Sequence, residues 1–330
     1  MAIFEADSST RNLSAELSII IVNWNAGELL RRSVESVVAS PPSVAYEVVV
    51  VDNASTDESL AGLRASASAS ALGERLRVIL NAENRGFGQA NNQAFALTNA
   101  PLLLLLNPDT EVTRGSVDRL VETLRSDARA GAAGPKLLNA DGSVQVSVWR
   151  NPPAAWEMLL TASRLHKLLP RRVRGELLLA EHWDYSRRRD VGMLSGAALM
   201  VRRELVNEVG GFDERFHMYG EDNEWCLRIT RAGWRLVFEP EAVVMHHGAA
   251  SSLKRWDSLE KQRVQSEAML RFQRHCLPRR RRITNLATAC FLLTLQRAVR
   301  RLGGRERREV EQTLRLYAAD LKRALSGRAE

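Results

Sequence analysis

LLLLLNPDTEV, residues 102 to 112, sets five leucines directly against Asn107, Pro108 and Asp109. An unbroken apolar run that follows Pro101 and stops at Asn-Pro suits a strand buried on both faces of a parallel sheet, where helices cover it above and below. Asp109 then falls at the carboxyl end of the strand, the edge at which open parallel sheets bind ligands. An ordinary Asn-Pro turn after a core strand accounts for the same residues without a ligand.

Working outward, the preceding segments repeat the pattern. LSIIIVNWN (17 to 25), YEVVVVDNAST (46 to 56) and RLRVILN (75 to 81) are apolar strands closed by polar residues, and each is followed by a helical spacing. In 27 to 40, Leu30, Val34, Val37 and Val38 fall on one helix face, and ENRGFGQANNQAFALTNA (83 to 100) reads as a glycine turn and a helix. RASASASALGE (64 to 74) reads as a helix end running into a loop. The alternation β-α-β-α-β-α-β predicts an α/β fold, a Rossmann-like, mostly parallel sheet with helices on both faces. Further on, 131 to 153 reads as two short strands around the Asp141-Gly142 turn, and 156 to 183 as a helix broken at Pro170. GEDNEWCLRITRAGW (220 to 234) opens a helix with acids in its first turn and closes it at Gly233. RLVFEPEAVVMHHGAASS (235 to 252) reads as two short strands ending in paired histidines, and the chain beyond Trp256 as helical, with breaks at Pro278 and Gly303-Gly304.

The chain has 330 residues, 45% of them hydrophobic and 26% charged, enough for a sizeable core. Three widely spaced cysteines form no CxxC pair or metal cluster, which fits a reduced, cytoplasmic setting. The first residues carry no secretory pattern, and no apolar run is long enough to cross a bilayer. The net charge of +8 is uneven: Arg271 to Arg308 holds twelve arginines and one acid, Glu306, so this block must meet something anionic or stay solvated. Within it a 13-residue, mostly apolar run, Ile283 to Leu295, is flanked by arginine clusters. That arrangement suits either a helix lying peripherally on an anionic membrane or a helix packed on the rest of the protein. One central aromatic, Phe291, and no binding motif argue against nucleic acid.

Three early strands end in polar clusters, Asn23-Trp24-Asn25, Asp52-Asn53 and Asn107-Pro108-Asp109, which a parallel sheet would bring to one crevice. Asp52 or Asn53 could accept a nucleobase N–H and Trp24 could stack on the ring. In NRGFGQANN, which contains Arg85, Gly86 and Asn91, glycine amides could approach phosphate oxygens. Asp109 beside Asn107 could ligate Mg²⁺ or Mn²⁺, and His246 or His247 could add an imidazole. Asp222, next to Glu221, could serve as a general base or merely cap its helix. Adjacent acids on a helix point apart and do not make a hydrolytic carboxyl pair.

SIIIVNWN, VVVDNASTD, NRGFGQANN, LLLNPDTEV, SGAALMVRR, GGFDERF, EDNEWCLRITRAGW and VVMHHGAASS stand in the order and approximate spacing of family 2 glycosyltransferases. The chain most resembles the rhamnosyltransferase branch, which carries NPD where other members carry DxD. The resemblance covers about residues 16 to 256 and implies a GT-A fold and an inverting transfer from a nucleotide-sugar donor. It implies that Asn23, Trp24, Asp52 and Asn53 line the nucleoside pocket, with Arg85, Gly86, Asn91 and Asn107 on the donor side. It also implies a metal site at Asp109 and His246, with Asp222 as the base and Glu221 and Trp225 towards the acceptor. NPD replaces one carboxylate with an amide, which weakens the expected metal site. On this reading residues 1 to 15 are a flexible lead-in. Residues 16 to 110 form a nucleotide-sugar half, 111 to 256 an acceptor half, and 257 to 330 a basic helical extension. The expected activity is transfer of L-rhamnose from dTDP-L-rhamnose to a saccharide or lipid-linked saccharide acceptor in cell-envelope polysaccharide synthesis. A UDP- or GDP-sugar donor on the same fold is the nearest alternative, and a non-catalytic membrane-surface or nucleic-acid-binding protein the alternative of another class.

Overall fold

The computed structural model describes residues 15 to 150, 154 to 248, 258 to 302 and 308 to 326. The N-terminal segment, the boundary expected near 256 and the Gly303-Gly304 break lie outside them. The first half runs β1 (Leu17–Asn23), α1 (Glu28–Ala39), β2 (Tyr46–Asp52), α2 (Ser59–Arg64), α3 (Ala67–Leu72), β3 (Leu76–Leu80), α4 (Phe87–Leu97) and β4 (Leu102–Leu106). The second runs β5 (Thr110–Val112), α5 (Ser116–Ser126), β6 (Ala130–Leu138), β7 (Val148–Trp149), α6 (Ala155–Ala162), α7 (Arg171–Leu178), β8 (Arg189–Val191), β9 (Met193–Leu194), β10 (Ala198–Arg202), α8 (Arg203–Val209), α9 (Glu221–Arg231) and β11 (Arg235–His246). Three helices follow, α10 (Ser258–Cys276), α11 (Arg279–Leu302) and α12 (Arg308–Ser326).

The main sheet has the order β3-β2-β1-β4-β10-β6-β11-β5, with β8 also on β11. Strands β3, β2, β1 and β4 are parallel, as the alternation predicts. Every residue of β1, β2 and β4 is buried. Their side chains alternate between two cores. Ile19, Val48 and Leu104 pack with Leu30 and Val34 of α1, while Ile20, Val49 and Leu105 pack with Ala94 and Phe95 of α4. Each such aliphatic side chain withdrawn from water stabilises the fold by about 1.5–3 kcal/mol. That is why these strands read as continuous apolar runs rather than as alternating ones.

The second half is mixed: β10 is antiparallel to β4 and β6, and β5 and β8 are antiparallel to β11. Three readings need correction. RASASASALGE is a second short helix, α3, whose start is capped by the Ser66 hydroxyl accepting from the Ala69 N–H at 3.1 Å. Asp141-Gly142 does turn the chain, with Gly142 at φ 80, but its flanks share a single bridge, Leu138 with Val144, and β7 pairs instead with β9. The two short strands expected in 235 to 252 are, within the described residues, one, β11, whose register slips between Glu239 and Val243. Pro240 falls in that slip, where a missing N–H costs no ladder bond.

The basic block is partly answered inside the protein. Asp320 of α12 is fully buried, and the guanidinium groups of Arg274 (2.7 Å), Arg282 (3.4 Å) and Arg323 (3.4 Å) surround its carboxylate, so one acid ties α10, α11 and α12 together. Arg279 donates to the carbonyls of Ala324 and Leu325, capping the last turn of α12. Phe272 and Leu277 then dock the extension against Phe216 and Leu227, beside α9. Asp320→Ala is expected to destabilise the extension by ~3 kcal/mol, because it removes the one buried carboxylate that three arginines share. Denaturant unfolding checks this, and an unchanged midpoint would show that the tie carries no weight.

Candidate active site

The parallel register sets Asn23 level with Asp52 and Ile21 level with Leu106, so the ends of β2, β1 and β4 lie side by side. Two strand spacings cover only ~10 Å. Asn23 is fully buried; its Nδ2 donates to Asp52 Oδ1 at 2.7 Å, with Ser55 and Ser59 hydroxyls each at 2.9 Å. Asn25 accepts from the Thr56 N–H at 2.7 Å, joining the loops after β1 and β2. Asn53 Nδ2 donates to the Gly86 carbonyl at 3.1 Å, and its Oδ1 accepts from Asn81 at 2.9 Å. These amides knit the strand ends into one floor.

Above that floor lies a cleft of about 360 Å³. Trp24, Asn53 and Gly86 from the first half, Asn107, Pro108 and Asp109 after β4, His246 of β11, and Glu221 and Asp222 of α9 all line it. Residues 110 to sequence-distant 246 meet because β5 pairs with the end of β11, placing His246 opposite Thr110. His246 Nε2 lies 3.3 Å from Asp109 Oδ1. On the other ring edge Nδ1 is 2.6 Å from Gln145 Oε1, which can only accept, so Nδ1 carries the proton and Nε2 offers its lone pair to the cleft. His247 turns away: its ring meets Glu111 at 2.7 Å, and Glu111 also pairs with Arg32. The histidine register left open between 246 and 247 is thus settled as to which ring faces Asp109.

Tyr219 (φ 62) and Gly220 (φ 90) take left-handed conformations that turn the chain into α9, so Glu221 and Asp222 begin the helix at the cleft wall. Burial raises the proton affinity of both carboxyls, against the favourable field of the helix N-terminus. Asp222 is compensated by the N–H groups of Asn223 (2.8 Å) and Gly196 (3.4 Å). Among the described residues Glu221 Oε2 has no such donor, and burial followed by the Asp222 charge pushes this carboxyl up to about 8. The two backbone donors oppose the rise that burial gives Asp222.

The profile of Glycosyl transferase family 2 matches residues 18 to 210 of this chain, more than half of it. The chain belongs to family 2 of the glycosyltransferases. This glycosyltransferase is 32% identical over 255 residues, 72% of its length and 77% of the relative's, to an N-acetylglucosaminyl-diphospho-decaprenol L-rhamnosyltransferase of Mycobacterium tuberculosis. It is also 31% identical over 240 residues to the O-antigen biosynthesis protein RfbC of Myxococcus xanthus, covering 72% of this chain and 18% of that one. These matches place it in the rhamnosyltransferase-like branch. A mannosyltransferase of Pyrobaculum calidifontis, solved with GDP-Man and Mn²⁺, superposes with a TM-score of 0.55 at 17% identity, covering 96% of this chain and 76% of that one. GalNAc-T7, solved with UDP, GalNAc and Mn²⁺, gives 0.53 at 21% identity, covering 78% and 50%. The fold of the glycosyltransferase is GT-A.

Not every expected site residue reaches the cleft. Trp225 is fully buried, stacks near Phe95 and Phe212 and donates its indole N–H to the Gly210 carbonyl, so it supports α9 from behind and cannot touch an acceptor. Asn91 is 1% exposed and bonds the Phe87 carbonyl. Asn23 and Asp52 form a layer beneath the lining, and Arg85 is exposed at the loop surface. The Gly86 N–H is taken by Asn84 Oδ1 at 2.9 Å, so the glycine serves another purpose than an amide cradle. A Cβ there would sit 2.5 Å from the His217 carbonyl oxygen, and Gly86 lets the two halves meet. Missed altogether were His217 and Tyr219 in the loop before α9, and Lys261 and Gln265 of α10, which also line the cleft. Only the YG step before Glu221 hinted at that loop. A larger depression, about 450 Å³, lies among Glu176, Arg187, Arg189, Asp190 and Arg235, whose charges pair with one another.

Glu221 also gives stability a pH dependence. Its ordinary value is 4.5 and its folded value about 8, so between these the unfolded chain is ionised while the folded one keeps its proton, and stability falls as pH rises. Glu221→Gln is expected to raise Tm at pH 8 and to have little effect near pH 5. Thermal unfolding at both values tests this, and an equal change at both would refute the buried acid.

Proposed function

We propose that this glycosyltransferase moves L-rhamnose from dTDP-L-rhamnose, with inversion, onto a saccharide carried by a lipid diphosphate in cell-envelope polysaccharide synthesis. The observation that carries the reading is the shared cleft: Asp222, whose carboxylate accepts from two backbone N–H groups, lines the same cavity as the Asp109–His246 pair and Trp24. The mycobacterial relative's name supplies the sugar and the lipid-linked acceptor.

In this reading Trp24 offers an aromatic face to the nucleobase, and Asn53 and Asn84 hold the loop beside it. Asp222 takes the proton of the acceptor hydroxyl as that oxygen bonds to the anomeric carbon, and the bond to the diphosphate breaks on the opposite face with its electron pair leaving on the diphosphate. The N–H groups of Gly196 and Asn223 favour the ionised form of Asp222 that this task needs. The donor set also suits a divalent cation. Two ligands each ~2.1 Å from one ion at a right angle stand ~3 Å apart, close to the Asp109–His246 separation of 3.3 Å. No group of three or more His, Cys, Asp or Glu that could hold a metal occurs among the described residues, so Asp109 and His246 would share Mg²⁺ or Mn²⁺ with the diphosphate and water. Such an ion would offset the charge that develops on the departing diphosphate.

Asp222→Asn should lower kcat by ~10²–10⁴ with donor KM little changed, measured as nucleoside diphosphate release across a panel of nucleotide sugars. Full activity of the variant would remove Asp222 from the reaction. Turnover with a UDP- or GDP-sugar but not with dTDP-L-rhamnose would overturn the donor assignment.

The same reading places the enzyme on an anionic membrane surface. Phe291, Leu295 and Val299 of α11 are all more than half exposed, four residues apart along one face. Trp156, Leu159, Leu165, Leu168 and Val173 are exposed in α6 to α7, among exposed Arg164, Lys167, Arg171 and Arg172. Basic side chains around exposed apolar ones suit an interface position. No described helix is long and apolar enough to cross a membrane. Truncating the extension would also break the Asp320 tie, so point changes are the cleaner test. Leu165→Glu with Leu168→Glu should cut binding to phosphatidylglycerol vesicles at least tenfold; unchanged binding would exclude this surface.

A further inference from the structure

Glu221 is nine-tenths buried yet lines the cleft, and its Oε2 has no hydrogen-bond partner among the described residues. A buried polar oxygen left without a partner is costly, and in a substrate cleft the missing partner is supplied by the substrate. Asp222 lines the same cleft, so a sugar that meets Glu221 there is within the cavity that holds the base. Building on the transferase reading, we propose that Glu221 acts as a carboxylic acid that donates a hydrogen bond to a hydroxyl oxygen of the acceptor sugar, holding it next to Asp222.

The surroundings favour a proton on this carboxyl. Along α9 its nearest charge is Asp222, which repels a second anion, and Asp109 is a further acid in the same cleft. From the loop before α9 comes the His217 imidazole, from α10 the Lys261 ammonium, and from β11 His246. The β9–β10 loop contributes only Ser195, Gly196 and Ala197. Burial, followed by the Asp222 charge, pushes this carboxyl up to about 8. A protonated carboxyl has a donor and an acceptor and can grip a sugar hydroxyl through both, whereas a carboxylate only accepts. Two ionised acids here would also compete for the acceptor proton. With Glu221 neutral, Asp222 is left as the base.

Glutamine reproduces the shape of a neutral glutamic acid and keeps a donor and an acceptor, so Glu221→Gln separates this role from that of a carboxylate. Transfer would be followed from pH 6 to pH 9.5 in wild type, Glu221→Gln, Glu221→Ala and Asp222→Asn, with acceptor and donor KM measured separately. Wild type should lose activity above about pH 8. Glu221→Gln should keep acceptor KM within threefold and lose that alkaline fall. Glu221→Ala should raise acceptor KM at least tenfold with donor KM unmoved. A carboxylic-acid carbonyl band in the infrared spectrum, present at pH 7 in wild type and absent in Glu221→Gln, reports the proton directly even if the alanine variant fails to fold. Glu221→Gln as inactive as Asp222→Asn, an alkaline fall that survives in it, or no such band would each overturn the proposal. Absence of transfer by wild type with every donor would instead strike the transferase reading.

Discussion

The pairing of β1 with β2 on one side and β4 on the other governs the rest of the structure. All three strands are buried on both faces, so a polar side chain within them would need a partner inside the sheet, and almost none is present. Polar residues can emerge only where the strands stop. Because the three are parallel and in register, they stop together, and Asn23, Asp52 and Asn107 come to one edge. The hydrophobic demand of the core thus concentrates the amides and acids there. Asn23, Asn25 and Asn53 then spend their hydrogen bonds on one another's loops, which makes the edge a rigid platform.

The second half completes that platform from the opposite direction. Antiparallel β10 returns beside β4, and the Asn107 N–H donates to the Ala197 carbonyl, so the Ser195–Gly196 turn sits next to Asp109. β11 arrives through β5 and delivers His246, with Gln145 fixing its tautomer. α9 begins at the same cleft and supplies two adjacent carboxyls that differ in one respect: Asp222 receives backbone donors on both oxygens and Glu221 Oε2 receives none. Burial raises both carboxyls, and the backbone donors oppose that rise on Asp222.

Much of this was legible in the residues because the signals were local. The apolar runs ended by Asn or Asp marked β1, β2 and β4 and their ligand edge, and the acids opening EDNEWCLRITRAGW marked α9. What was not legible depends on tertiary direction. Trp225 and Asn91 sit on the right helices but face the core, since nothing in a short motif says which face a neighbouring strand covers. Gly86 looked like a phosphate turn, whereas close approach of the His217 backbone is what excludes a side chain there. His246 and His247 are equivalent in sequence, and only the strand's alternation on β5 separates them. The arginine block suggested an external anion; Asp320, about 40 residues beyond the Arg279–Arg282 cluster, takes part of that charge internally. Lys261 and Gln265 reach the cleft from a helix that lies outside the matched family region.

The central claim is that the joined strand ends and α9 form one donor-and-base site. The most direct measurement is a crystal structure with a nucleoside diphosphate and Mn²⁺, using manganese anomalous scattering to locate the ion. The account predicts the anomalous peak between the Asp109 carboxylate and His246 Nε2, the base against Trp24, and the outer phosphate directed towards Asp222. A nucleotide bound elsewhere, or manganese held without Asp109, would contradict it.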